Sequence, residues 1–298
     1  MSSNKASITM DGRSANDGMR PGLGRRFACA VIQAPVSAQL ALLVVSAYLF
    51  VIVFAPWLAP FGEAAVVGDA YSPWGGEFWL GTDSLGRDIL SRMIYAARNT
   101  VGITFVATVL AFFIGGALGM VAAVTGGWLD QTLSRLVDIL MAIPLLIFAL
   151  LLLMIFGGSV IALVLIIASL ESTRVFRLTR AVAMDVAVME YVEAARLRGE
   201  SLLWVVRREI LPNILAPLTA EFGLRFCFIF LLVSSLSFLG LGLQPPTASW
   251  GGMVRENVML ITFGSVTPLL PAAAIAILTI SVNLIVDWFL NNTSGISK

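Results

Sequence analysis

The chain has 298 residues, 58% of them hydrophobic and only 12% charged, and its mean hydropathy is +0.92. A soluble domain carries about 25% charged residues, so the composition excludes one and specifies an integral membrane protein. A net charge of +1 gives no ground for a nucleic-acid partner, because the basic residues follow membrane side rather than gathering in a patch.

About 20 apolar residues rising 1.5 Å each are needed to cross a hydrocarbon core of about 30 Å. Residues 1–37 contain no such run, are rich in Ser, Gly and Asn, and read as a disordered or surface-lying tail rather than a cleavable signal. The uncharged stretch 38–61 is the first span, ending in prolines, and 62–98 forms the loop on the far side. Residues 99–129 supply the second span and the Gly126-Gly127 turn. The uncharged run 139–170 is too long for one helix, and Gly157-Gly158-Ser159 divides it into a hairpin of spans three and four. Only 160–170 of the fourth is free of charge, so that span is expected to continue through Glu171 towards Phe176, with Arg174 reaching the headgroups. Span five starts after Pro212 and runs to about Leu241; span six covers about 269–290. Residues 99–291 thus form a five-helix core, followed by a short tail, 292–298.

Six crossings place both termini on one side, and the basic residues choose it. Arg13, Arg20, Arg25, Arg26, Arg135, Arg174, Arg177, Arg180, Arg196, Arg198, Arg207 and Arg208 fall on the N-terminal side, against Arg87, Arg92, Arg98 and Arg255 opposite. Both ends are therefore expected in the cytoplasm.

On that topology residues 191–212, YVEAARLRGESLLWVVRREILP, form a long charged cytoplasmic stretch. It reads as two short helices: residues 192–198, a bend permitted by Gly199, then residues 202–210, stopped by Pro212. Leu203, Val206 and Ile210 recur at helical spacing beside Arg207 and Arg208. Pattern alone leaves two readings open, a docking elbow for a partner and an amphipathic helix lying on the membrane.

Several chemistries are excluded by what the chain lacks. Its only lysines are Lys5 and Lys298, so no GxxxxGK[ST] phosphate loop exists, and histidine is absent. Ser-His-Asp catalysis, an imidazole zinc site and HExxH proteolysis are thereby removed. Cys29 and Cys227 lie far apart without CxxC spacing, suggesting neither disulfide nor metal. No catalytic residue, cofactor or metal ligand is expected in this chain. Glu221 and Arg225, four residues apart on one face of span five, must face protein or water. They read either as a mutually neutralising buried pair or as part of a translocation path. The segment 81–88 reads as glycine turns with Asp83 capping a helix that follows at 89–97.

Glu193-Ala194-Ala195, Gly199 and Ile210-Leu211-Pro212 resemble the EAA loop in permease subunits of binding-protein-dependent ABC importers. Three further stretches narrow the resemblance to the dipeptide, oligopeptide and nickel permease family. They are Gly81-Thr82-Asp83-Ser84-Leu85-Gly86-Arg87-Asp88, the run from Gly126-Gly127-Trp128 through Arg135, Asp138 and Pro144, and Ser235-Leu236-Ser237-Phe238-Leu239-Gly240-Leu241-Gly242 with Gln244-Pro245-Pro246. They stand in the family's order over residues 80–287.

The resemblance implies an all-α fold of six transmembrane helices, the type I importer permease, in a bacterial inner membrane. It implies a second homologous permease, two cytoplasmic ATPases that bind ATP and Mg, and an extracytoplasmic solute-binding protein. In such importers the EAA elbow lies in a cleft on the ATPase, which assigns ATPase coupling to Glu193, Ala194, Ala195, Gly199, Ile210, Leu211 and Pro212. Peptides or peptide-like solutes are the expected cargo. Nickel or opine import and a membrane channel are the alternatives, and a membrane-embedded enzyme is the rival from another class. Ser172-Thr173 stands where relatives usually carry an aromatic-proline pair, and Val233 where they often carry glutamate.

Overall fold

The computed structural model describes residues 34–293. The N-terminal tail, Cys29, and the last residues with Lys298 lie outside the described residues. Among those described, every regular element is helical, and the only β pairing is three isolated bridges, Val66 with Arg87, Gly75 with Phe78 and Thr82 with Asp88. The elements are α1 (Val36–Leu58), α2 (Ile89–Thr125), α3 (Gly127–Ala142), α4 (Leu145–Phe156), α5 (Val160–Ala187), α6 (Glu190–Leu197), α7 (Leu202–Val205), α8 (Leu211–Phe238), α9 (Trp250–Asn257) and α10 (Leu269–Thr293). A π turn, Val206–Ile210, joins α7 to α8, and a 3-10 segment, Val258–Phe263, follows α9.

Among the described residues, four helices are long and apolar enough to cross a membrane: Val36–Leu58, Ile89–Thr125, Leu202–Phe238 and Leu269–Asn292. The pair α3 and α4 passes the same test together but is bent by 90°. Helix α5 has the length, at 28 residues, and carries Glu171, Arg174, Arg177 and Arg180 within it.

Several boundaries differ from the sequence reading for identifiable reasons. The helix expected at 89–97 and the span expected from 99 are one helix, α2, and its cap is Asp88 rather than Asp83: the Asp88 carboxylate accepts from the Ser91 amide at 2.7 Å. At 37 residues it is about 55 Å long and must project beyond the apolar layer. The third span is not a straight helix. Pro144 has no N–H and forces Ile143 into extended backbone, φ −88° and ψ 132°, so the chain turns between α3 and α4. The hairpin at 157–159 forms as expected, with Gly157 at φ +86° and the Ser159 hydroxyl accepting from the Ala162 amide at 3.2 Å. Helix α5 does run through Glu171 and Phe176, and continues to Ala187.

Pro212 does not stop the helix. The chain from Leu202 to Phe238 is continuous, because the π turn before the proline widens the backbone: the Leu211 amide donates to the Val206 carbonyl, five residues back. That extra residue per turn relieves the clash a proline ring makes with the carbonyl four residues earlier. The Asn213 amide group donates to the Glu209 carbonyl at 2.6 Å.

The central packing is α2 against α5. Ala107, Ala111, Gly115, Gly119 and Ala122 are buried along one side of α2, a seam of small residues that lets two apolar backbones approach closely, as in membrane helix pairs generally. Helix α8 closes a second apolar cluster on this pair through Ile229, Leu232, Val233 and Leu236. At one end Trp250 of α9 is buried among Ile89, Phe230 and Leu278, and its indole N–H donates to the Met93 carbonyl at 3.1 Å. Helix α1 lies outside, with the Tyr48 hydroxyl donating to the Ala274 carbonyl of α10. No residue of α3 is buried.

Candidate functional site

The elbow begins where α6 ends. The Glu200 amide donates to the Ala195 carbonyl at 3.3 Å and the Gly199 amide to the Arg196 carbonyl at 3.0 Å. This reciprocal C-cap needs a left-handed residue, which Gly199 supplies at φ +82°. The Ser201 hydroxyl then accepts from the Trp204 amide and starts the next helix. Val192, Ala195, Val205, Ile210 and Ile214 are buried together against Val124 of α2 and Ala183 of α5. The elbow is therefore fixed to the ends of the two central helices and runs without interruption into α8.

Of the residues singled out by sequence, Ala195 and Ile210 meet in this cluster, and Leu211 packs at its edge. Glu193, Ala194, Gly199 and Pro212 face outward. The apolar face differs from the one expected: Leu203 is 65% exposed, while Val205 and Ile210 are buried. The π turn lengthens the repeat, so residues five apart share the inner side and the 203–206–210 spacing does not. Exposed Leu203, Arg207, Arg208 and Pro212, together with Ser201 and Trp204, line an open groove of about 720 Å³.

Glu221 and Arg225 do pair, and a residue the sequence reading left apart completes the cluster. The Arg225 guanidinium contacts Glu221 on its own helix and reaches Glu171 of α5 at 3.2 Å, near the middle of both helices. Glu171 is 1% exposed, and the guanidinium carbon lies 5.0 Å from the centre of the Phe228 ring. Two carboxylates thus flank one cation, and none of the three charges faces lipid alone.

A second network stands at the opposite end from the elbow. Asp83 is fully buried; it accepts from the Leu85 and Arg87 amides at 2.8 and 3.0 Å, pairs with the Arg87 side chain at 2.7 Å, and contacts Arg92. Glu256 of α9 closes the network, 2.6 Å from Arg92 and 3.2 Å from Arg87. Burial by itself would raise the Asp83 pKa; the two amide hydrogen bonds and the two guanidinium charges outweigh it and hold the carboxyl below its ordinary range. The segment 81–88 is thereby latched to α9. Gly81 and Gly86 make the expected turns, each at φ +75°. A third pair, Asp130 of α3 with Arg180 of α5, includes a 2.6 Å contact. Among the described residues no group of three metal-ligating side chains exists.

Comparison with known proteins fits this architecture. Residues 115–293 match a family described as binding-protein-dependent transport system inner membrane component. The chain is 31% identical over 252 residues to the dipeptide transport system permease protein DppC of Alkalihalophilus pseudofirmus, covering 84% of this chain and 83% of that one. It is 36% identical over 245 residues to the di/tripeptide transport system permease protein DppC of Pseudomonas aeruginosa, covering 80% and 81%. It is 37% identical over 242 residues to the peptide transport system permease protein SapC of Escherichia coli, covering 79% and 82%.

Proposed function

From the premise that this chain belongs to the family of binding-protein-dependent transport system inner membrane components, we propose that it is the subunit through which peptides enter the cytoplasm, driven by ATP hydrolysed on separate partner subunits. It is a multi-pass protein of the inner membrane. Peptide cargo is named for the relatives just described, and a second homologous permease, two ATPases and a solute-binding protein complete the assembly. Six crossings with both termini in the cytoplasm follow if the bent α3–α4 pair and the charged α5 each cross once.

The observation that carries the reading is the elbow's attachment. Its inner face is anchored by Val192, Ala195, Val205 and Ile210, while Glu193, Gly199, Leu203, Arg207 and Arg208 stay outward. An ATPase gripping the outward face would move α8 as one rod, since no loop intervenes between Leu202 and Phe238. Coupling requires that the grip favour one membrane conformation with ATP bound and another after release. Glu221 and Arg225 lie on the same rod, where its motion would displace them relative to Glu171 and open a polar path.

The test is uptake of a labelled dipeptide into vesicles holding the assembled importer, with ATPase co-purification measured in parallel. Glu193→Lys and Gly199→Pro should lose uptake and retain less ATPase. Full uptake with full ATPase retention in both variants would refute the elbow's assigned role.

A further inference from the structure

Three arginines follow one another along α5, and only one has a counter-charge. Arg180 is paired with Asp130, and Asp138 also lies near it. Arg174 and Arg177 have no carboxylate within 4 Å among the described residues. Arg177 reaches only the Met141 thioether, at 3.7 Å, a weak acceptor. Arg174 makes no hydrogen bond to any described residue and lines a cavity of about 150 Å³ with Thr173, Ile143 and Pro144. That volume is several times the roughly 30 Å³ that a water occupies.

The other wall of this cavity is the 90° break between α3 and α4. Pro144 caps α4 without offering a side-chain acceptor, so the first turn of a 12-residue helix adds amide dipoles to the positive side of the cavity. Leu140 and Ile143, both exposed, line it as well. The Arg174 guanidinium in the cavity, Arg177 one turn further along α5 against Met141 and a helix start, with apolar side chains around them, are complementary to an anionic head on an apolar body.

Depth selects the source of that head. Along α5, Arg174 and Arg177 stand about 21 and 25 Å from Val160 at 1.5 Å per residue. Long arginine side chains can reach the boundary of a core about 30 Å thick from there. On the proposed topology, on which this inference rests, the boundary is the cytoplasmic one, where anionic lipids attract basic groups. We infer that Arg174 and Arg177, beside the α3–α4 break, bind the phosphate of an anionic phospholipid. The lipid would hold the bend by bridging α5 to the start of α4.

The experiment is native mass spectrometry of the full chain exchanged into phosphatidylcholine with or without phosphatidylglycerol. Wild-type protein should retain phosphatidylglycerol preferentially. The Arg174→Gln/Arg177→Gln variant should bind it roughly 30-fold more weakly, at about 1 kcal/mol per arginine. Arg207→Gln/Arg208→Gln, which removes equal charge from the elbow, should bind as wild type, and Arg174→Lys/Arg177→Lys should keep most of the preference. Absence of preference in wild-type protein would overturn the inference even if the glutamine variant fails to fold. Equal loss in the elbow variant would overturn it too, and displacement by millimolar inorganic phosphate would identify a free anion instead of a lipid. Lipid binding is read without transport, so a chain that binds the lipid but imports nothing would sink the importer reading alone.

Discussion

Gly115 of α2 lies so close to Ser172 of α5 that a Cβ on the glycine would stand 2.3 Å from the Ser172 carbonyl oxygen. One turn later, Gly119 is in the same position towards the Phe176 carbonyl, at 2.8 Å. These two contacts set the distance between the central helices. Backbone atoms cannot rotate away as a side chain could, so Gly115→Ala should cost about 1–3 kcal/mol by forcing the helices apart. Gly102→Ala, where a Cβ would meet nothing within 4 Å, should be neutral or slightly stabilising. Thermal unfolding midpoints in detergent compare the two directly.

Removing Arg225 strands Glu171, which is 1% exposed. Arg225→Ala should destabilise by about 3–5 kcal/mol, the usual consequence of leaving one member of a buried ion pair unpaired. Glu171→Gln in the same background should recover part of that loss, and a double-mutant cycle on unfolding midpoints reads the coupling. Additive effects would mean that the 3.2 Å contact contributes nothing.

Gly199 has open space around a would-be Cβ but sits at φ +82°. Gly199→Ala should therefore act through backbone strain alone, at about 1–2 kcal/mol, and loosen the elbow without a clash. Protease cleavage at residues 198–201 should accelerate while the unfolding midpoint of the helical bundle hardly changes.

The Asp83 carboxyl is held below its ordinary range, which fixes the sign of its pH dependence. A depressed carboxylate contributes its stabilisation fully above the unfolded value of about 3.9 and loses it as pH falls through the lower folded value. The latch between 81–88 and α9 should hold at neutral and mildly acidic pH and open only in strong acid. Asp83→Asn should weaken it at neutral pH. Quenching of Trp250, 1% exposed and donating its indole N–H to the carbonyl of Met93, the chain neighbour of Arg92, is the measurement, and the gap between variant and wild type should close as pH drops below about 4.

Much of the membrane organisation was legible because its signals are local. Charge gaps located α1, α10 and the greater part of α2, and Gly126, Gly157 and Gly199 turn where a residue without Cβ was expected to turn. The elbow's two-helix form is legible from Gly199 between two helix-prone runs, whereas the Ser201 cap that starts the second helix comes from the structure. Where local reasoning failed, another local effect had been misjudged: Pro144 breaks its helix while Pro212, preceded by a π turn, does not. Proline's sequence signature is the same in both cases, and the backbone's ability to widen decides the outcome.

By itself the sequence determined the class of molecule and the absence of phosphate-loop or histidine chemistry, since these depend on composition and on runs of neighbouring residues. Only the tertiary structure decided which charges meet between helices. Glu171 finds Arg225 across 54 positions, and Arg92 finds Glu256 across 164. Partners so distant are chosen by how the helices pack. That packing is set in turn by the small residues of α2, whose size a hydropathy profile does not register.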